Sequence, residues 1–216
     1  VAERWRARGV DAHVVVADLG DAEQAAQAAT TAWDLLGHLD VIVNNAGRPL
    51  RRRATRLSPA DVTETMRVNF FGAVTVTLTL LPLMLERGSG RIVNIGSIAG
   101  RVAAPREAAY VASKFALAGW SDTLAVDLEG SGIAVHHVSP GAIDTPLWDM
   151  PDQEQAAFTG PRAPASKVAR AVITAIERGR YETVVPRSLA PALALRSLMG
   201  EAYLALTARF DRRQKR

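Results

Sequence analysis

Residues 91–114 read RIVNIGSIAGRVAAPREAAYVASK, and their reading decides the fold. Ile92, Val93 and Ile95 predict a short buried strand over 91–95, and the alanine-rich run that follows predicts a helix over 108–129, closed by Gly130 and Gly132. Tyr110 and Lys114 are four residues apart on that helix and share a face. An ammonium beside a phenol favours the phenolate and draws its pKa down from about 10. That would make the tyrosine a usable general acid and base. By itself this spacing describes many pairs of helix-surface neighbours. Ser97 changes its meaning: it lies thirteen residues before Tyr110, directly after the strand. Its hydroxyl can donate to a substrate oxygen on which negative charge develops, whereas a serine with no such context is a turn residue.

The same alternation continues in both directions. Residues 1–8 read as the end of a helix stopped by Gly9, and Val14, Val15 and Val16 predict a strand over 13–17. A helix over 21–36 ends at Gly37. A strand over 41–43 runs into Asn44-Asn45-Ala46-Gly47. Ser58, Pro59 and Asp61 mark the start of a long helix that reaches toward Arg87, with Pro82 expected to bend it or end it early. A strand over 133–138 ends in Ser139-Pro140-Gly141, a helix spans 166–177, and a last strand spans 181–185. Apolar strands separated by helices predict a parallel sheet covered on both faces. In such sheets ligands bind beyond the carboxyl ends of the strands. Asp18, residues 44–47, Ser97 and Pro140-Gly141 all fall at those ends.

Composition narrows the classes. The 216 residues contain no cysteine, which excludes disulfides and thiolate catalysis and permits a cytoplasmic setting. The first residues lack the apolar stretch of a secretory signal, and no apolar run is read as long enough to span a bilayer. The net charge of +4 is partly local: Arg51, Arg52 and Arg53 form one cluster, and Arg209, Arg212, Arg213, Lys215 and Arg216 form another. No aromatic residues interleave with them as a nucleic-acid stacking surface requires, so they read as a solvated loop and a frayed tail, with no nucleic-acid partner. The adjacent pair His136-His137 would face opposite sides of a strand, and no metal site is expected.

Taken in order, these features resemble the short-chain dehydrogenase/reductase family. The resemblance rests on Asp18-Leu19, Asn44-Asn45-Ala46-Gly47, Asn69 within Val68-Asn69-Phe70-Phe71-Gly72, Gly96-Ser97, Tyr110-x-x-x-Lys114, Pro140-Gly141 and Thr145, and it covers residues 1 to about 185. It implies a Rossmann-like, doubly wound α/β fold and an oxidoreductase that moves a hydride between NAD or NADP and an alcohol or carbonyl compound. By that resemblance Tyr110 is the catalytic acid and base, and Ser97 polarises the substrate oxygen. Lys114 would bind the nicotinamide ribose and lower the Tyr110 pKa. Asn69 would hold a water that relays protons. Asp18 would contact the adenine with Leu19 beside it. Asn45, Ala46 and Gly47 would line the adenosine ribose, Asn45 also tying strands together. Pro140, Gly141, Ile143 and Thr145 would contact the nicotinamide. Family members pair as homodimers or homotetramers, so a homo-oligomer is implied.

The family's opening strand, glycine-rich loop, first helix and second strand find no counterpart here, and the turn that receives the pyrophosphate at a helix N-terminus is missing with them. The expectation is a fragment or a mis-started frame, with impaired cofactor binding and no means of telling NAD from NADP. A partial Rossmann domain is expected over 1–188, with an apolar substrate lid over about 146–165 carrying Leu147, Trp148, Met150 and Phe158. Those side chains suggest a hydrophobic substrate, or equally plain core packing. Residues 189–216 form an apolar helix and basic tail that reads as a peripheral membrane helix, or as a cover over the pocket or an oligomer contact, the latter kind being favoured. The alternative to an enzyme is a non-catalytic binding or scaffold protein of the same fold.

Overall fold

The computed structural model describes residues 2–213; Val1 and the tail residues Gln214, Lys215 and Arg216 lie outside them. The chain runs α1 (Ala2–Arg6), α2 (Ala22–Leu36), β1 (Val41–Asn44), α3 (Pro59–Met66), α4 (Gly72–Arg87), β2 (Gly90–Ile95), α5 (Ala108–Asp127) and β3 (Ile133–Pro140). It continues through the two-residue strands β4 (Ile143–Asp144) and β5 (Ala163–Pro164), then α6 (Ala165–Glu177), β6 (Glu182–Val185), α7 (Ala190–Met199) and α8 (Glu201–Arg213). Four strands form one parallel sheet in the order β1-β2-β3-β6.

The sheet is covered on both faces, as the apolar strands required. Ile42, Ile92, Ile133 and Val135 pack with Leu80 and Met84 of α4 and Leu124 of α5, and α2 lies against α4. On the other face Val93, Ile95, Val138 and Val185 meet Val168, Val172 and Ile176 of α6. Burying such side chains contributes about 1.5–3 kcal/mol each. Beneath the strand tips runs a polar chain: the Asn44 amide donates to Asn94 Oδ1 (2.8 Å) and to Thr77 Oγ1 (3.0 Å), and the Asn94 amide donates to Ser121 Oγ (2.9 Å). The inter-strand tie thus belongs to Asn44, where Asn45 had been expected to supply it.

Residues 13–17 form no strand. Among the described residues no strand lies on the free edge of β1, and a strand without a hydrogen-bonding neighbour has nothing to hold it extended. Val16 is consequently 92% exposed, and Val41 and Val43 are bare on one side of β1. The turn that follows is nevertheless pinned, because Gly72 lets the backbone of Leu19 press against α4. A Cβ at Gly72 would lie 2.5 Å from the Leu19 carbonyl oxygen. The Arg67 guanidinium also donates to the Gly20 carbonyl at 2.8 Å.

Ser58 caps α3 with the reciprocal Ser58–Asp61 bonds that the sequence announced. Pro82 does not end the helix; α3, a π-helical turn over Arg67–Phe71 and α4 form one helix from Pro59 to Arg87. That helix of 29 residues, with a mean hydropathy of 1.8 in its most apolar window, is long and apolar enough to cross a membrane by length and composition, contrary to the reading that no run was. Here its Leu80 and Met84 belong to the core.

Candidate active site

The strand β2 ends at Ile95, and the chain turns at Gly96 and Ser97 into a single 3-10 turn. Gly96 is required because His137 of β3 stands over it: a Cβ there would lie 2.3 Å from His137 Nε2. Ser97 is buried. Its Oγ accepts from the Ala99 amide (3.1 Å), lies 3.4 Å from the Pro140 carbonyl, and is the hydrogen-bond partner of the Tyr110 phenol.

The helix α5 brings Tyr110 and Lys114 to the same spot. Lys114 is 3% exposed, and its ammonium donates to the Ile95 carbonyl at 2.9 Å and lies 5.8 Å from the Tyr110 ring centre. Burial pushes it down to about 8. The phenol departs from the expectation of a lowered pKa. Burial pushes Tyr110 up to about 12, the Ser97 hydrogen bond opposes this and the nearby Glu107 adds to it. Desolvation therefore sets the direction, and the contact with Ser97 does not offset it. At neutral pH the phenol holds its proton.

Asn69 sits in the π-helical turn of the long helix, 1% exposed. Such turns displace one residue from the helical ladder and recur at functional sites. Its amide donates to the Arg48 carbonyl (3.0 Å) and to Ser113 Oγ (3.0 Å), and its Oδ1 accepts from the Arg48 amide (2.6 Å). Ser113 in turn donates to the Tyr110 carbonyl at 2.7 Å. Ser113 was not singled out from the sequence. Its side chain ties Asn69 to the backbone of the tyrosine.

Ser97, Tyr110 and Lys114 line the floor of an open, mostly apolar cleft of about 1640 Å³ at the carboxyl ends of the strands. This exceeds the volume of a pocket for one drug-sized ligand. Asn45, Gly47, Pro140, Gly141, Ile143 and Thr145 also line it. Asp18, Leu19 and Ala46 do not. The Asp18 carboxylate instead accepts from the Gly20 amide (2.8 Å) within its own turn. The residues fit the ribose end of a nicotinamide cofactor. Lys114 spends one of its three N–H groups on Ile95. The missing side chain at Gly47 keeps the space beside Lys114 Nζ open, a Cβ there lying 3.7 Å from it.

The segment over 146–165 meets a residue that the sequence reading placed elsewhere. Arg51 is not a solvated loop residue: it is 6% exposed. Its guanidinium donates to the Trp148 carbonyl (2.7 Å) and the Glu154 carbonyl (3.1 Å), and its amide donates to Gln153 Oε1 (2.6 Å). Glu154 answers with ion pairs to Arg53 (3.6 Å) and Arg56 (3.5 Å). Leu147, Trp148 and Phe158 line the cleft, whereas Met150 does not. From the C-terminal segment Leu195, Met199, Tyr203 and Leu206 close its far side, and the Tyr203 hydroxyl is anchored to the Ala103 carbonyl (3.1 Å). A cover over the pocket is thus the arrangement of α7 and α8.

Residues 1–156 match the short chain dehydrogenase family. The chain belongs to that family. It is 38% identical over 180 residues to the Escherichia coli oxidoreductase YbbO, covering 77% of this chain and 67% of that protein. It is 32% identical to the ketoacyl reductase HetN of Nostoc, covering 83% of this chain and 63% of HetN. With bovine dehydrogenase/reductase SDR family member 7B it shares 33% identity over 98% of this chain and 68% of that protein. The chain thus spans about two thirds of the length of these relatives. Among solved structures, a Burkholderia phymatum short chain dehydrogenase/reductase in complex with NAD shares the fold. Its TM-score is 0.84 at 24% identity, over 93% of this chain and 80% of that one. A Burkholderia cenocepacia gluconate 5-dehydrogenase in complex with NADP and tartrate aligns with TM-score 0.78 at 28% identity, over 88% of this chain and 80% of that one.

Proposed function

We propose that this chain carries the catalytic and substrate-binding groups of an oxidoreductase acting between NAD or NADP and a hydrophobic alcohol or carbonyl compound. The observation that carries the reading is the convergence of Ser97, Tyr110 and Lys114 on the floor of an apolar cleft at the strand tips. The bound nicotinamide ring would supply the hydride chemistry. Ser97 orients and polarises the substrate oxygen. Tyr110, protonated at neutral pH, gives its proton to that oxygen in reduction and recovers it in oxidation. Lys114 holds the ribose hydroxyls with its free N–H groups, and Asn69 fixes the helix that carries the tyrosine. Residues 45–47 and 140–145 flank the cofactor on either side.

No glycine-rich pyrophosphate turn occurs among the 216 residues, so we infer that they bind the cofactor weakly. We also propose a homodimer or homotetramer in the cytoplasm, on family resemblance. The test is hydride transfer, followed by nicotinamide absorbance, with both cofactors at millimolar concentration and a panel of apolar ketones. Tyr110→Phe should lower kcat by at least about 100-fold, the usual worth of a positioned acid, without changing the cofactor Kd. Turnover close to the parent would show that the acid is another residue.

A further inference from the structure

The cleft is apolar, yet its charged lining is unbalanced. It holds Arg51, Lys114, Arg196 and Arg209 against one carboxylate, Glu107. Arg51 is matched by lid carbonyls and faces Glu107, and Lys114 is matched by Ile95. Arg106 beside the cleft is paired with Asp211 at 2.5 Å. Arg196 has no such partner. Its guanidinium lies 5.4 Å from the Phe115 ring centre and 5.8 Å from that of Tyr203, and among the described residues no carboxylate comes within ion-pair distance. Two aromatic faces orient a half-buried cation and leave its N–H edge free. Arg209, on the same helix as Tyr203 and Leu206, adds a second cation that makes no ion pair among the described residues. Unpaired positive charge against low-polarity walls focuses the field on an anion.

We propose that the ligand of this cleft is an anionic amphiphile: an apolar chain bearing a carboxylate or phosphate that Arg196 receives, with Arg209 reinforcing the field. This rests on the oxidoreductase reading of the same cleft and names the class of its substrate. The anion is distinct from the cofactor's phosphates. Residues 45–47 follow β1, one edge strand of the sheet, whereas α7 follows β6, the opposite edge. The aliphatic chain would lie along Leu195, Leu206 and Val172, its reducible oxygen toward Ser97 and Tyr110.

The experiment is calorimetric titration of the purified chain with decanoate, decyl phosphate and decanol. We expect at least one of the two anions to bind about tenfold more tightly than decanol, the modest effect of one charge-assisted contact. Arg196→Gln should remove that preference while leaving decanol affinity unchanged. Arg196→Lys, which keeps the charge, should retain part of it. On the unmodified chain, raising salt should weaken the anion and spare decanol, a measurement that needs no variant to fold. Equal affinities for anions and alcohol overturn the inference, as does an Arg196→Gln loss shared by all three ligands. Loss of NADP affinity with decanoate and decyl phosphate unaffected would give the arginine to the cofactor and overturn it too. None of these outcomes touches the hydride-transfer reading, which stands or falls on Tyr110→Phe.

Discussion

Replacing Lys114 with methionine should make the folded chain more stable at neutral pH. The lysine is 3% exposed, and burial holds its pKa at about 8 against an ordinary 10.5. The sign follows from proton counting. Between those two values the unfolded chain binds a proton that the folded chain releases, so stability rises with pH across that window. Below about pH 8 the folded state carries the whole penalty of a buried ammonium. A gap of 2.5 pKa units corresponds to about 3 kcal/mol. Methionine removes that penalty and keeps the volume, but forfeits the 2.9 Å hydrogen bond to the Ile95 carbonyl, which contributes about 1 kcal/mol. The net gain is about 2 kcal/mol at pH 7, and it should fall toward zero by pH 10. Urea unfolding at both pH values measures it. With a slope of about 2 kcal/mol per molar, the midpoint of Lys114→Met should lie about 1 M higher at pH 7 and close to the parent at pH 10. A variant less stable at pH 7, or a difference independent of pH, would refute the claim that an uncompensated ammonium is stored under the cleft. A residue that lowers stability where it stands is expected at a site kept for chemistry.

Three further outcomes follow from the same geometry. Gly96→Ala places a methyl 2.3 Å from His137 Nε2 and should destabilise the fold by more than about 2 kcal/mol, and His137→Ala in the same chain should recover part of that loss, a coupling read by a double-mutant cycle. His137 is fully buried and burial pushes it down to about 4. Stability should therefore fall as pH drops from 6.5 through 4, and His137→Phe should flatten that part of the curve in urea titrations. Glu154→Ala removes the carboxylate that pairs with Arg53 and Arg56, so limited proteolysis should cut within 146–160 several-fold faster than in the parent, while an unchanged rate would mean that Arg51 alone holds that segment.

The His137 geometry also fixes a proton. Ser121 donates its hydroxyl to the Leu117 carbonyl (2.6 Å) and accepts from the Asn94 amide, so His137 Nδ1 must be the donor in its 3.2 Å contact with Ser121. Its Nε2 is left as a bare lone pair over Gly96. Nothing in the sequence distinguishes this histidine from its neighbour His136, whose Nδ1 meets the Arg180 carbonyl at 2.8 Å. Alternation along a strand placed them on opposite faces, and packing decided what each face meant.

Local rules sufficed wherever one element decides the outcome. The apolar strands, the Ser58 cap, the glycine stops and the four-residue step from Tyr110 to Lys114 are properties of short segments, so the parallel sheet and the core of the site could be read from the letters. Three things could not, because each is settled by residues far apart in the chain. Residues 13–17 have a strand's composition but no partner to pair with. The Tyr110 proton depends on how much water the folded cleft removes, and there burial outweighed the contact with Ser97. Arg51, one of three adjacent arginines, is buried because Trp148 and Glu154, about a hundred positions away, present their carbonyls to it. Periodicity sets which way a side chain points, whereas desolvation and hydrogen-bond partners are supplied only when distant segments close around it.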